Sequence, residues 1–194
     1  MKKDILHCLK VGGILCAIGS ISALLIAATN MLTSNAITKH EKEKEEKALK
    51  EVFIDNNGVV PNDLVIGDKT ELKNLDKKYQ KLLCYWNPKS SDEGENIDNK
   101  YGYVFKTEGS DKNNYGTITM LVVINNDYSF GRISIIKNSE SYATTVQKDY
   151  VDQYNAGNRL LTDVTCGATY GATVIKEMAE SASSYVKEVL NNGK

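Results

Sequence analysis

The sequence predicts an α+β protein, a small antiparallel sheet packed against helices and tethered by one N-terminal transmembrane helix. Three observations carry this expectation. No charged residue stands between Lys10 and Lys39. Apolar runs separated by turn residues fill the middle of the chain, and the C-terminal stretch repeats apolar residues at three-and-four spacing.

Val11 to Leu32 is almost wholly Ala, Gly, Ile, Leu and small polar residues. A bilayer-spanning helix needs about 20 such residues. Lys2, Lys3 and Lys10 precede the span while Lys and Glu mix after it, so the positive-inside rule keeps the N-terminus cytoplasmic and puts the chain from about Ile37 onward outside. Ser34-Asn35-Ala36 offers an alternative, a signal-peptide cleavage site, but the apolar core is longer than the 7 to 15 residues usual for a signal peptide. Gly12, Gly13, Gly19, Ser20 and Ser22 give the helix a small-residue surface on which a second membrane helix packs closely.

Thr38 to Phe53 is rich in Glu and Lys, with Ala48, Leu49, Val52 and Phe53 near its end. It predicts a solvated helix that docks by its last turns. Asn56-Asn57-Gly58 and Pro61-Asn62-Asp63 are turn signals. Glu71 to Trp86 reads as a short helix leading into a strand, and residues 87–100 as a polar loop, an insertion or a lid. Tyr101–Lys106, Thr117–Ile124 and Phe130–Ile136, separated by polar turns, predict a three-stranded antiparallel meander.

Gly167 and Gly171, with only Ala, Thr and Tyr around them, form a stretch whose backbone turns sharply and is closely approached. From Ala172 an amphipathic helix follows, with Val174, Ile175, Met178, Ala182, Tyr185, Val186, Val189 and Leu190 on one side. A small-residue loop running into a helix N-terminus suits an anion such as a phosphate. A plain helix start is the alternative for the same residues.

Composition excludes several classes. The 194 residues are 41% hydrophobic with net charge -1, room for one ordinary domain plus an accessory segment and no basic excess for nucleic acid. The four cysteines form no Cys-x-x-Cys pair or zinc spacing, so no metal ligand set is expected. His7 and His40 both flank the apolar segment, so no catalytic triad is expected in the soluble part. No glycine-rich dinucleotide loop and no Walker loop occurs. Cys84 and Cys166 leave both a disulfide and two free thiols open.

Asp163-Val164-Thr165-Cys166-Gly167-Ala168-Thr169 resembles the flavinylation motif of FMN-binding subunits in two respiratory complexes, the G subunit of the Rnf complex and the C subunit of the sodium-pumping NADH:quinone reductase. That motif runs Asp, two residues, Ser or Thr, Gly, Ala, Thr, and a flavin transferase joins FMN through its phosphate to the last Thr. The resemblance implies Asp163 as the leading acid, Gly167 and Ala168 as the central pair, and Thr169 as the acceptor. Cys166 stands where the family has Ser or Thr. A second Gly-Ala-Thr ends at Thr173, with no Asp six residues before it.

The layout elsewhere is similar to the Rnf G subunit. One membrane helix leads into a charged helix, a Gly-Tyr-Val-Phe strand and a long apolar strand follow, and Asn138-Ser139-Glu140-Ser141-Tyr142 precedes the motif without the Thr-Pro-Gly common in the family. Glu140 and Tyr142 are thereby candidate cofactor neighbours. The implied organisation is residues 1–36 as cytoplasmic N-terminus and membrane helix, 37–56 as connecting helix and 57–194 as FMN-binding domain. The implied function is covalent-FMN electron transfer within a membrane complex coupling electron flow of the ferredoxin/NAD type to Na+ or H+ translocation. Other Rnf-type membrane subunits and a flavin transferase are the implied partners. A stand-alone extracytoplasmic flavoprotein shuttle, or a membrane-anchored binding or sensor domain without flavin, are the alternatives.

Overall fold

The computed structural model describes residues 2–54, 58–90, 101–111, 113 and 116–191. The turn signal at 56–57 and most of the expected 87–100 loop lie outside the described residues. The chain forms two compact units, Met1–Lys44 and Glu45–Lys194.

The first unit belongs to α1 (Lys2–Glu51), the one helix among the described residues long and apolar enough to cross a membrane. Its large apolar side chains, Leu24, Ile26 and Leu32 among them, are exposed along the chain's own surface, as a lipid-facing helix requires. The hydroxyls of Thr29, Thr33 and Thr38 donate to the carbonyls of Leu25, Thr29 and Ser34 at 2.8, 2.8 and 2.9 Å. They satisfy themselves on their own helix, which removes much of the cost of carrying polar residues in an apolar span.

The second unit is built on a five-stranded antiparallel sheet in the order β2-β3-β5-β6-β7, comprising β2 (Lys69–Glu71), β3 (Leu82–Trp86), β5 (Tyr103–Ser110), β6 (Thr117–Ile124) and β7 (Phe130–Asn138). A separate two-stranded ribbon pairs β1 (Leu64–Val65) with β4 (Lys89–Ser90). The expected meander is the β5-β6-β7 half of the larger sheet. Its register runs from Tyr103 opposite Ile124 to Ser110 opposite Thr117.

Strand β6 explains why its sequence is a continuous apolar run. Ile118, Met120, Val122 and Ile124 join the core on one face, and Leu121 and Val123 join the core on the other. A strand covered on both faces has no solvent side on which to place polar residues. One cover is α4 (Thr169–Tyr185), continued by a π-helical stretch Val186–Leu190, with Val174, Ile175, Met178, Ala179 and Ala182 against Phe105 and Met120. The other is the last turns of α1, whose Ala48 and Leu49, with Val52 and Phe53 just after, pack with Cys84, Trp86 and Val104. The charged connecting helix therefore docks as expected.

Glu45 ties this second cover down through ion pairs to Lys106 and Lys69. Burial pushes the Glu45 carboxyl up, but the Lys106 and Lys69 contacts outweigh it and hold it below the usual range.

Two local expectations change. Lys69–Glu71 is a strand because it pairs with Cys84–Trp86, and the expected helix before β3 shrinks to one 3-10 turn, Lys77–Tyr79, anchored by the buried Tyr79 ring. Asn74, at φ 56, cannot propagate a helix between them. The C-terminal helix starts at Thr169, three residues before Ala172. Ala168 leaves helical geometry at φ -130, ψ 55, and its carbonyl takes the first helical hydrogen bond, from the Ala172 amide at 3.1 Å.

Between β7 and α4 the chain forms one helical run, α2 (Ala143–Thr145), a π-helical stretch (Val146–Val151) and α3 (Asp152–Asn155). The Asn155 side-chain amide accepts from the Ile133 N–H at 3.0 Å and donates to the Ile133 carbonyl at 2.7 Å. It substitutes for a neighbouring strand at that position of the β7 edge. Cys84 and Cys166 are free thiols, packed into separate cores. Burial pushes the Cys84 thiol up to about 11, so it is an inert packing group.

Candidate functional site

Asp163, Cys166, Gly167, Ala168 and Thr169 lie together on the loop that enters α4, and Glu140 sits beneath the helix's first turn. The sequence-predicted residues thus meet at one end of one helix.

The loop is held by a residue that sequence reasoning missed. Arg159 donates to the Asp149 carbonyl at 2.6 Å and to the Thr165 carbonyl at 2.8 Å, and its Nε lies 3.5 Å from Asp163 Oδ2. Asp163 Oδ1 in turn accepts from the Thr165 amide at 3.2 Å. Asp163 is therefore fixed from both sides while remaining exposed. The usable signal was an arginine four residues before the motif's acid, in a chain with only two arginines. Beneath the loop, the buried Tyr150 hydroxyl donates to the Leu161 carbonyl. Burial pushes this phenol above its ordinary range, so it stays protonated as a donor.

At the loop's end Thr169 is exposed, and its hydroxyl donates to the Cys166 carbonyl at 2.9 Å. Thr173, one turn on, donates to the Thr169 carbonyl at 2.8 Å and is a half-buried part of the helix. The α4 N-terminus carries no side-chain cap and no acid in its first turn. The positive end of the helix dipole, at its exposed side, favours a bound anion. Ala168 is buried against the core, while Gly167 approaches Thr145, where an added Cβ would stand 3.3 Å from the Thr145 methyl.

The chain turns at Gly167 and Ala168 as expected, and neither Gly167 nor Gly171 needs a positive φ for it. Gly171 serves the other expected purpose, close approach. A Cβ there would lie 2.3 Å from Glu140 Oε2 and 2.6 Å from Val146 Cγ2. Gly116, at φ +144, meets Glu140 from the β5–β6 connection, where a Cβ would lie 2.6 Å from the Glu140 amide nitrogen. Gly171 therefore makes room for the glutamate side chain, and Gly116 for the backbone that carries it.

Glu140 is 9% exposed, and its Oε1 has no hydrogen-bond partner. Burial, helped by the negative charge of Asp111, pushes its carboxyl above the usual glutamate range. Tyr142, the other expected neighbour, is exposed with Tyr170.

Two clefts lie elsewhere in this unit and share Arg132, one of about 430 Å³ beside Glu51, Ser134 and Asn155, and one of about 300 Å³ beside Phe53, Tyr101 and Asn125. Neither includes a sequence-predicted site residue. Among the described residues no cluster of three metal-ligating side chains occurs.

No curated protein matches the chain. Residues 1–52 match the family model described as the RnfG N-terminal region, which covers the membrane helix and the docked end of α1. Over those residues the chain is similar to the N-terminal region of RnfG subunits.

Proposed function

We propose that the protein is the covalent-FMN electron-transfer subunit of an Rnf-type membrane complex, with FMN held through its phosphate on Thr169. One observation carries this reading: the exposed Thr169 hydroxyl is the first residue of an uncapped 17-residue helix, at the end of a small-residue loop. The RnfG-type N-terminal region supplies the membrane context.

The residues fit the group. The α4 N-terminus stabilises the phosphate's charge beside Thr169, and Gly167 and Ala168 leave the approach uncovered by long side chains. Asp163, braced by Arg159, presents a fixed carboxylate six residues ahead of the acceptor for a flavin transferase to recognise. The Cys166 carbonyl orients the Thr169 hydroxyl, and this main-chain role explains why a Cys side chain is tolerated where the family pattern has Ser or Thr. Glu140 borders the site from below. When bound, the flavin supplies the redox chemistry, and the chain supplies attachment, orientation and electrostatics.

In this reading the N-terminus is cytoplasmic, α1 is a single-pass anchor and the Glu45–Lys194 unit is extracytoplasmic, passing electrons between other subunits of a complex that moves Na+ or H+. The test is flavin fluorescence of the denatured chain after co-expression with a flavin transferase. Wild type is expected to retain fluorescence and Thr169→Ala to lose it. Label retained by Thr169→Ala would sink the assignment.

A further inference from the structure

Glu140 is the one acidic or basic residue in the buried set among the described residues. Oε1 has no partner, and Oε2 faces Gly171, two residues along α4 from Thr169. Two positions on a helix correspond to about 3 Å of rise. The elements packed around it offer Gly116 from the β5–β6 connection, Val146 from the π-helical stretch and Gly171 from α4, none of which titrates. The charged group acting on it is Asp111, of like sign. An isolated carboxylate kept this dry costs folding free energy, and a fold that makes room for it at Gly171 retains it against that cost.

We propose that Glu140 couples protons to electrons at the Thr169 site: its carboxylate binds one proton when an electron arrives there and releases it when the electron leaves. This rests on the flavin-carrier reading. The balance is simple. The electron comes from the redox partner upstream, the proton comes from water, one O–H bond forms on the Glu140 carboxylate, and both particles depart when the electron passes on. The physical cause is charge repulsion. An added negative charge near a buried carboxylate is weakly screened and favours the neutral acid. Oε1 has no hydrogen-bond donor to hold the carboxylate ionised, and no basic side chain acts on it. A carboxylate with an arginine or lysine partner would stay charged and transmit nothing.

The test uses the full chain in detergent. In flavin-loaded wild type the midpoint potential is expected to fall with rising pH across the titration of Glu140, and in loaded Glu140→Gln this dependence is expected to flatten. The same pH dependence in both proteins overturns the coupling. A second readout needs no flavin: the side-chain carboxyl carbon of Glu140, followed by NMR in the Thr169→Ala chain, is expected to titrate above an ordinary glutamate. A normal or lowered midpoint also overturns it, even if Glu140→Gln fails to fold. Failure of wild type to take up flavin removes the carrier reading and the coupling with it, whereas unchanged pH dependence in loaded Glu140→Gln removes the coupling alone.

Discussion

Gly171→Ala separates the packing account of the site from a reading by helix propensity. Gly171 lies inside α4, where replacing Gly by Ala ordinarily stabilises a helix by about 1 kcal/mol. Here the new Cβ would stand 2.3 Å from Glu140 Oε2 and 2.6 Å from Val146 Cγ2. Val146 is fully buried and β-branched, with little room to rotate away, and Glu140 is nearly so. Overpacking of this kind costs roughly 1–3 kcal/mol. First-turn residues gain less from propensity than interior ones, so the clash wins and the net loss is about 1–2 kcal/mol. For a unit of about 150 residues that lowers Tm by roughly 2–8 °C. The assay is thermal unfolding of the unloaded chain in detergent, followed by circular dichroism. The loss should shrink in a Glu140→Ala background, because truncating Glu140 relieves the shorter of the two contacts. A Tm raised by Gly171→Ala would refute the packing account, and an equal loss in both backgrounds would show that Glu140 is not what Gly171 accommodates.

Further outcomes follow from the same geometry. Thr173→Ala should leave covalent flavin uptake unchanged, since its hydroxyl is spent on the Thr169 carbonyl; loss of label on mass spectrometry would move the acceptor to the second Gly-Ala-Thr. Asp163→Ala should reduce loading with little effect on Tm, because the Asp163–Arg159 pair is partly exposed and such pairs are worth about 0–1 kcal/mol; normal loading would remove Asp163 from transferase recognition. Glu140→Gln should stabilise the unloaded chain. The folded carboxyl binds its proton more tightly than the unfolded one, so wild type loses stability as pH rises from the ordinary glutamate value through the raised one. The variant's advantage in Tm should therefore be present at neutral pH and vanish in acid, and a constant or opposite difference would contradict the burial argument.

Much of the architecture was legible because burial leaves periodic marks. The uncharged stretch and β6 stand out as continuous apolar runs, and the apolar face of α4 recurs at every third or fourth residue. β3 was expected but β2 was missed, since Lys69–Glu71 is three exposed polar residues with no alternation, made a strand by pairing with Cys84–Trp86 alone. The candidate site was half visible. Asp163 to Thr169 are contiguous and could be read as a motif, whereas Arg159, Gly116, Val146 and the burial of Glu140 depend on contacts between segments far apart in sequence. Gly171 was singled out, but its purpose was fixed only by what lies opposite it. A glycine in a Gly-Ala-Thr run looks the same whether it turns the chain or makes room for a carboxylate.

The central claim is that Thr169 carries the flavin, and the intact mass of the full chain after co-expression with a flavin transferase tests it most directly. The account predicts an added mass of roughly 438 Da, one FMN less water, mapped by peptide analysis to the segment holding Thr169 and absent from Thr169→Ala. A folded chain with no added mass beside a transferase shown to be active, or a label mapped to another residue, would contradict it.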